Sequence, residues 1–167
     1  FGAESAASLI ATAENLMVTR SLSKSHALAG LRVGYALGSA ALIEGLIRVK
    51  DSFNSYPLDA IAQRVGAAAI EDNQWLRHSS QVVKDNRGKL SESLTNLGFE
   101  VCPSLANFIF VKHPDHEGRV LFEHLRENNI LVRRWDKKAI ASYLRITVGT
   151  EAECAALVRC LADYCAA

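Results

Sequence analysis

Apolar side chains recur at helical and strand spacings along most of the chain, and the pattern alone divides it into elements. Leu16-Met17-Val18-Thr19-Arg20-Ser21 is a short mostly apolar run that predicts a buried strand. Leu31 to Gly38 is the next strand candidate, with Gly34 marking close approach of another backbone. Leu42, Ile43, Leu46, Ile47 and Val49 recur at steps of three and four and predict a helix from Ser39 or Ala40 to about Val49. Asp51 to Pro57 interrupts it, Pro57 alone being sufficient to do so. From Leu58 the helical spacing resumes through Ile61, Val65, Ala68, Ala69 and Ile70. After Asp72-Asn73 a longer helix carries Trp75, Val82, Val83, Leu90, Leu94 and Leu97, with Gly98 as its C-terminal stop.

The second half alternates differently. Phe99 to Pro103 and Asn107 to Val111 read as strands, the latter rich in aromatic and β-branched residues. Gly118 to Asn128 predicts a helix, Ile130 to Arg133 and Tyr143 to Val148 predict strands, and Thr150 with Glu153 forms a capping box for a last helix reaching about Cys165. Phe1 to Asn15 has only a weak helical period and predicts a short helix or loop. The expected fold class is α/β: residues 1–73 as the end of a mainly parallel domain, then residues 74–167, a long helix leading into a small α+β domain.

Composition narrows this little. The 167 residues are 49% hydrophobic and 22% charged, with a net charge of +1, so no strong field points to nucleic acid or an anionic membrane. No apolar run approaches the ~20 residues needed to span a bilayer. Cys102, Cys154, Cys160 and Cys165 include no Cys-x-x-Cys pair, and are read as reduced thiols of a cytoplasmic protein. His113-x-x-His116 has a metal-pair look, but Pro114 breaks helical geometry and no third ligand is spaced for it, so no metal is expected. Trp75 and Trp135 show no aromatic partners arranged for base stacking.

The chemistry concentrates in Ser21-Leu22-Ser23-Lys24-Ser25-His26-Ala27-Leu28-Ala29-Gly30-Leu31-Arg32-Val33-Gly34-Tyr35. One lysine stands among hydroxyls, with an arginine eight positions on. A lysine amine serves covalently mainly by forming an imine with a carbonyl. Serine hydroxyls and a planar guanidinium suit phosphate oxygens. Together they are what a pyridoxal phosphate anchor requires. A lone Ser-x-Ser-Lys marks a solvated loop as readily as a site; the step to Arg32, with Ala-Gly-Leu before it and Gly-Tyr after it, favours the cofactor. In the second half, Arg145 lies between Leu144 and Ile146, where a strand arginine takes a carboxylate or phosphate partner or a structural ion pair. Arg133-Arg134 reads by itself as solvated surface, and Asn107 as a turn cap or a site residue.

This stretch resembles the lysine motif of the fold type I aminotransferases at every position, and Val49 to Asp59 and Tyr143 to Thr150 are similar to the histidinol-phosphate aminotransferase branch. The resemblance runs from Phe1 to the C-terminus. It implies that Lys24 is the Schiff-base lysine, and that Ser21, Ser23, Lys24 and Arg32 hold pyridoxal 5′-phosphate. It further implies that Arg145 grips the substrate α-carboxylate, Arg133 the substrate phosphate, and that Asn107 lies near the substrate. Asn129 replaces the glycine of the family's Gly-Ile-x-Val-Arg pattern, a change at the turn, and Arg134 and His26 receive no role. Asn54 and Tyr56 fall in a loop on the active-site side.

The implied reaction exchanges an amino group between histidinol phosphate and 2-oxoglutarate. The enzyme would be a cytoplasmic homodimer taking small amino-acid phosphates and 2-oxo acids, with no nucleic acid or membrane partner. A threonine-phosphate decarboxylase, an aromatic aminotransferase or a non-catalytic C-terminal piece are the rival readings. In the family an aspartate and a tyrosine at the cofactor ring precede the position of Phe1. The chain is therefore expected to be the C-terminal half of a longer enzyme and inactive in isolation.

Overall fold

The computed structural model describes residues 1–54 and 58–166. Two compact units emerge, Ala3–His78 and Phe1–Gly2 with Ser79–Ala167.

In the first unit, a 3-10 turn over Ala6–Ala11 precedes strand β1 (Met17–Ser21). A single helical turn, α1 (Leu22–Ser25), and a 3-10 turn at Ala29–Leu31 lead back to β2 (Gly34–Gly38). The two strands pair antiparallel, Ser21 opposite Gly34 and Met17 opposite Gly38. The residues between the strands hold only two tight turns. A parallel return needs a crossover of a dozen or more residues, usually a full helix. Gly34 is where backbones meet: a Cβ there would stand 2.9 Å from the Arg20 carbonyl oxygen. Helix α2 (Ala40–Phe53) runs one turn beyond its predicted end, and α3 (Ala60–Glu71) follows. The predicted interruption from Asp51 to Pro57 therefore does not begin at Asp51, and its residues 55–57 lie outside the described residues. Ala62 and Gly66 of α3 are buried, Gly66 packed close to Val33 and Leu22.

Helix α4 (Asn73–Asn96) ends as its sequence suggests. Gly98 has φ +88°, its N–H donates to the Thr95 carbonyl, and the Phe99 N–H donates to the Leu94 carbonyl. This is the left-handed stop that only glycine adopts cheaply. Strands β3 (Glu100–Cys102), β4 (Phe108–Lys112) and β5 (Leu144–Thr147) form an antiparallel sheet in that order. Helices α5 (Gly118–Glu127) and α6 (Glu151–Cys165) complete the unit.

The core of this second unit gathers Leu90 and Leu94 from α4, Ile109 and Val111 from β4, Leu144 and Ile146 from β5, with Leu121, Leu125, Leu157 and Leu161 from α5 and α6. Alternation along β4 and β5 sends these aliphatics to one face and Phe108, Phe110 and Arg145 to the other. Ile130 to Arg133 does not form the predicted strand; it pairs with the sheet at one bridge, Arg133 to Arg145, while Ile130 and Val132 pack against the core. Asn129 takes φ +60° at the turn before it, and pairing begins only four residues on. The four cysteines are free, and burial pushes the Cys160 and Cys165 thiols above their ordinary pKa.

Candidate functional site

The residues singled out by sequence fall into two sets, one in each unit. Ser21, Ser23, Lys24 and Arg32 belong to the first, and Asn107, Arg133 and Arg145 to the second.

The first set is arranged by one buried side chain. Leu22 is 1% exposed, its N–H donates to the Val33 carbonyl, and its own carbonyl accepts from the N–H groups of His26 and Leu28. With Leu22 held inward, Ser21 and Lys24 on either side remain exposed. Ser21 caps α1: its Oγ accepts from the Ser23 N–H at 3.1 Å and lies 2.9 Å from the Ser23 Oγ. Ser25 Oγ donates to the Ser21 carbonyl at 3.2 Å and sits 2.8 Å from His26 Nδ1, whose ring stacks on Trp75. The lysine therefore projects from a turn pinned on both sides by hydroxyls. Arg32 follows in the left-handed region, φ +56°, with its Nη1 3.2 Å from the Ala29 carbonyl. That conformation is uncommon for a non-glycine residue, and Ala27, at φ +54°, shares it in the same loop. Among the described residues neither Lys24 nor Arg32 has a carboxylate partner.

The second set is built by sheet register. Arg145 lies opposite Phe110 on β4 and opposite Arg133 across the bridge, so both arginines share the face away from the core. Their guanidiniums do not meet bare. The Trp135 ring lies 5.3 Å from the Arg133 guanidinium and 5.7 Å from that of Arg145, which also sits 5.3 Å from the Phe108 ring. Phe110 packs against Trp135 and stacks on Tyr143 at 4.5 Å. Like charges on neighbouring strands repel, and the negative faces of the aromatic rings offset this. Neither arginine has an acidic partner among the described residues, and the buried Arg145 Nε has no hydrogen-bond partner. Arg134 differs: its Nε donates to the Ala141 carbonyl at 2.9 Å and its Nη1 pairs with Asp136 at 2.5 Å.

Asn107 ends the run into β4, where its carbonyl accepts from the Val148 N–H at 2.9 Å. Asn54 caps the end of α2 by donating its N–H to the Lys50 carbonyl, and Tyr56 lies outside the described residues. Trp135 is the residue that spacing did not single out. It has aromatic company after all, though as a wall beside two cations and not as a base-stacking platform. Its signal was the alternation Phe108–Ile109–Phe110–Val111, which puts the aromatics on the face opposite the aliphatics.

The family model for aminotransferase class I and II matches residues 1–161. The chain is 55% identical over 166 residues to histidinol-phosphate aminotransferase 2 of Thiobacillus denitrificans, covering 99% of this chain and 46% of that protein. Among solved structures, the histidinol-phosphate aminotransferase of Clostridium acetobutylicum superposes with a TM-score of 0.88 at 22% identity, over 97% of this chain and 49% of that one. That of Sinorhizobium meliloti, solved with pyridoxal-5′-phosphate, gives 0.80 at 22% identity, over 92% and 42%. At that identity the two structures speak for the fold alone. The chain spans about half the length of the curated relatives it matches.

Proposed function

The chain belongs to the aminotransferase class I and II family, and from that premise we propose that it is part of a pyridoxal-phosphate-dependent histidinol-phosphate aminotransferase. The observation that carries the substrate class is the pair Arg133 and Arg145, in register on one sheet face with no acidic partner among the described residues. Two free guanidiniums suit a ligand with two anionic groups, a carboxylate and a phosphate. We read residues 1–73 as the C-terminal portion of the cofactor-binding domain and 74–167 as the small domain.

The first set of residues fits the cofactor. Two linked serine hydroxyls and an arginine without a carboxylate partner are donors for a phosphate, and the exposed Lys24 amine is free to bond an aldehyde carbon. When bound, pyridoxal phosphate supplies a ring that takes up electron density from the substrate α-carbon. The protein's share is positional. Ser21, Ser23 and Arg32 hold the phosphate. Lys24 Nζ takes the proton from the substrate α-carbon as general base and returns it on the other side of the exchange. Arg145 binds the α-carboxylate and fixes which bond faces Lys24, Arg133 binds the substrate phosphate, and Asn107 lies beside the substrate. Glutamate and 2-oxoglutarate form the other half of a ping-pong exchange, in a cytoplasmic homodimer. Exposed apolar side chains on α2 and α3, among them Phe53 and Ile61, favour association with another polypeptide surface. No described helix is long and apolar enough to cross a membrane.

Borohydride reduction of the full-length enzyme with its cofactor, followed by peptide mapping, tests the reading. The label is expected on Lys24. A label on any other lysine, or amino transfer from histidinol phosphate no faster than from unphosphorylated amino acids, overturns it.

A further inference from the structure

His113-Pro114-Asp115-His116 offers two imidazoles on the turn after β4, and nothing nearby in sequence completes a ligand set. The fold does. The end of α6 brings Cys165 to the same place, and one donor atom from each of His113, His116 and Cys165 lies within 4.8 Å of the others. The two imidazole rings are 4.5 Å apart, and His116 also packs edge-on to Tyr164 at 5.3 Å.

His113 is held in one tautomer by its backbone partners. The Asp115 N–H, 3.1 Å away, can only donate, so His113 Nδ1 is the acceptor and carries the lone pair. The proton then sits on Nε2, which donates to the Leu97 carbonyl at 3.2 Å. A ring nitrogen that donates to a backbone carbonyl fixes the tautomer and turns the other nitrogen towards a metal. Gly98 makes room for this: a Cβ there would stand 2.9 Å from Nε2. Phe99 presses edge-on against the ring at 4.9 Å. Asp115 is exposed, so water can take over its N–H when a cation takes Nδ1.

We propose that His113, His116 and Cys165 form a binding site for zinc(II) or a borderline divalent cation of similar chemistry, with water as the fourth ligand. Two imidazoles and one thiolate are a tetrahedral, zinc-type donor set. Bond lengths of about 2.0–2.3 Å place such donors ~3.5 Å apart. The observed spread therefore closes by about an ångström, through rotation of His116 on its turn and Cys165 at its helix end. The thiol binds as thiolate and its proton leaves to solvent. The bound ion would clip the turn after β4 to the end of α6. None of these residues belongs to the cofactor or substrate sets, so the proposal stands apart from the enzymatic reading.

Zinc chloride titrated calorimetrically into the metal-stripped 167-residue chain, with cobalt(II) absorption in parallel, tests it. One ion per chain is expected, with a thiolate-to-cobalt charge-transfer band, tetrahedral d–d bands and a rise in Tm. Cys165→Ser is expected to abolish the charge-transfer band. It and His116→Ala each lower affinity by at least about tenfold, the smallest loss usual even for a ligand's outer partners. Cys160→Ser, the control on the same helix, keeps band and affinity; circular dichroism verifies that each variant is folded. Failure of the folded wild-type chain to bind, or a charge-transfer band that survives Cys165→Ser, overturns the proposal.

Discussion

Arg133 and Arg134 are consecutive, yet their partners assign them opposite tasks. Arg134 is spent on the Ala141 carbonyl and Asp136, which hold its own loop, while Arg133 lies on the aromatic face beside Arg145. Charge-assisted hydrogen bonds are worth about 1.5–3 kcal/mol, or roughly 10- to 150-fold in kcat/KM. Arg145→Ala in the full-length enzyme is expected to lower kcat/KM by that factor for every amino-acid substrate. Arg133→Ala is expected to do so for phosphorylated substrates only, and steady-state kinetics on a phosphorylated and an unphosphorylated pair separates them. Trp135→Ala leaves the two guanidiniums to repel each other and should raise KM for the phosphorylated substrate more than it lowers kcat. Trp135→Phe, which keeps a ring between them, should restore most of the difference.

At the scale of the element, α6 shows how a sequence signal becomes a stabilising contact. Thr150 Oγ1 accepts from the Glu153 N–H, and Glu153 accepts in return from the Thr150 N–H at 2.7 Å. Thr150→Ala is expected to cost about 1 kcal/mol, read as a lower midpoint in urea unfolding. The Thr150 backbone and hydroxyl donors hold the Glu153 carboxyl below its ordinary pKa. A group depressed on folding contributes stability above its unfolded pKa and loses it as pH falls through the folded one. The penalty of Thr150→Ala should therefore shrink on acidification below the ordinary carboxylate range, which urea titrations at two pH values would reveal. In β4 the same logic runs through burial. Ile109 is fully buried, so Ile109→Ala is expected to cost about 2–5 kcal/mol, against little for the exposed Leu131→Ala.

Across the whole molecule the two units differ in how much they bury. The unit containing Ser79–Ala167 holds a continuous aliphatic core, whereas among the described residues of Ala3–His78 the buried hydrophobic side chains are Leu22 and Ala62. In the latter, Val49, Phe53 and Ile61 are 59%, 77% and 72% exposed. Local opening free energy follows buried apolar contact. Hydrogen exchange on the 167-residue chain should show strong protection in β4, β5 and α6, and fast exchange in β1, β2 and α2. The exposed apolar residues should also bind a dye such as ANS and drive association at micromolar concentration, seen by sedimentation. Slow exchange throughout Ala3–His78 would show that this unit is more self-sufficient than its packing indicates.

Hydrophobic periodicity determined helices α2 to α6 and the strands β3, β4 and β5, and residue identity marked the glycine stop at Gly98 and the capping box, because each depends on residues a few positions apart. The lysine motif was legible for a related reason: Ser21, Ser23, Lys24 and Arg32 lie within one short turn-rich segment whose spacing is its chemistry. What the sequence left open depends on register between distant segments. The antiparallel pairing of β1 with β2, the single bridge that replaces a strand at Ile130 to Arg133, and the placing of Arg133, Arg145 and Trp135 on one face are decided by which backbones share hydrogen bonds. So is the meeting of Cys165, at the end of α6, with His113 and His116 on the turn after β4. Local spacing encodes which face a side chain takes along its own element; only tertiary packing decides what stands opposite it.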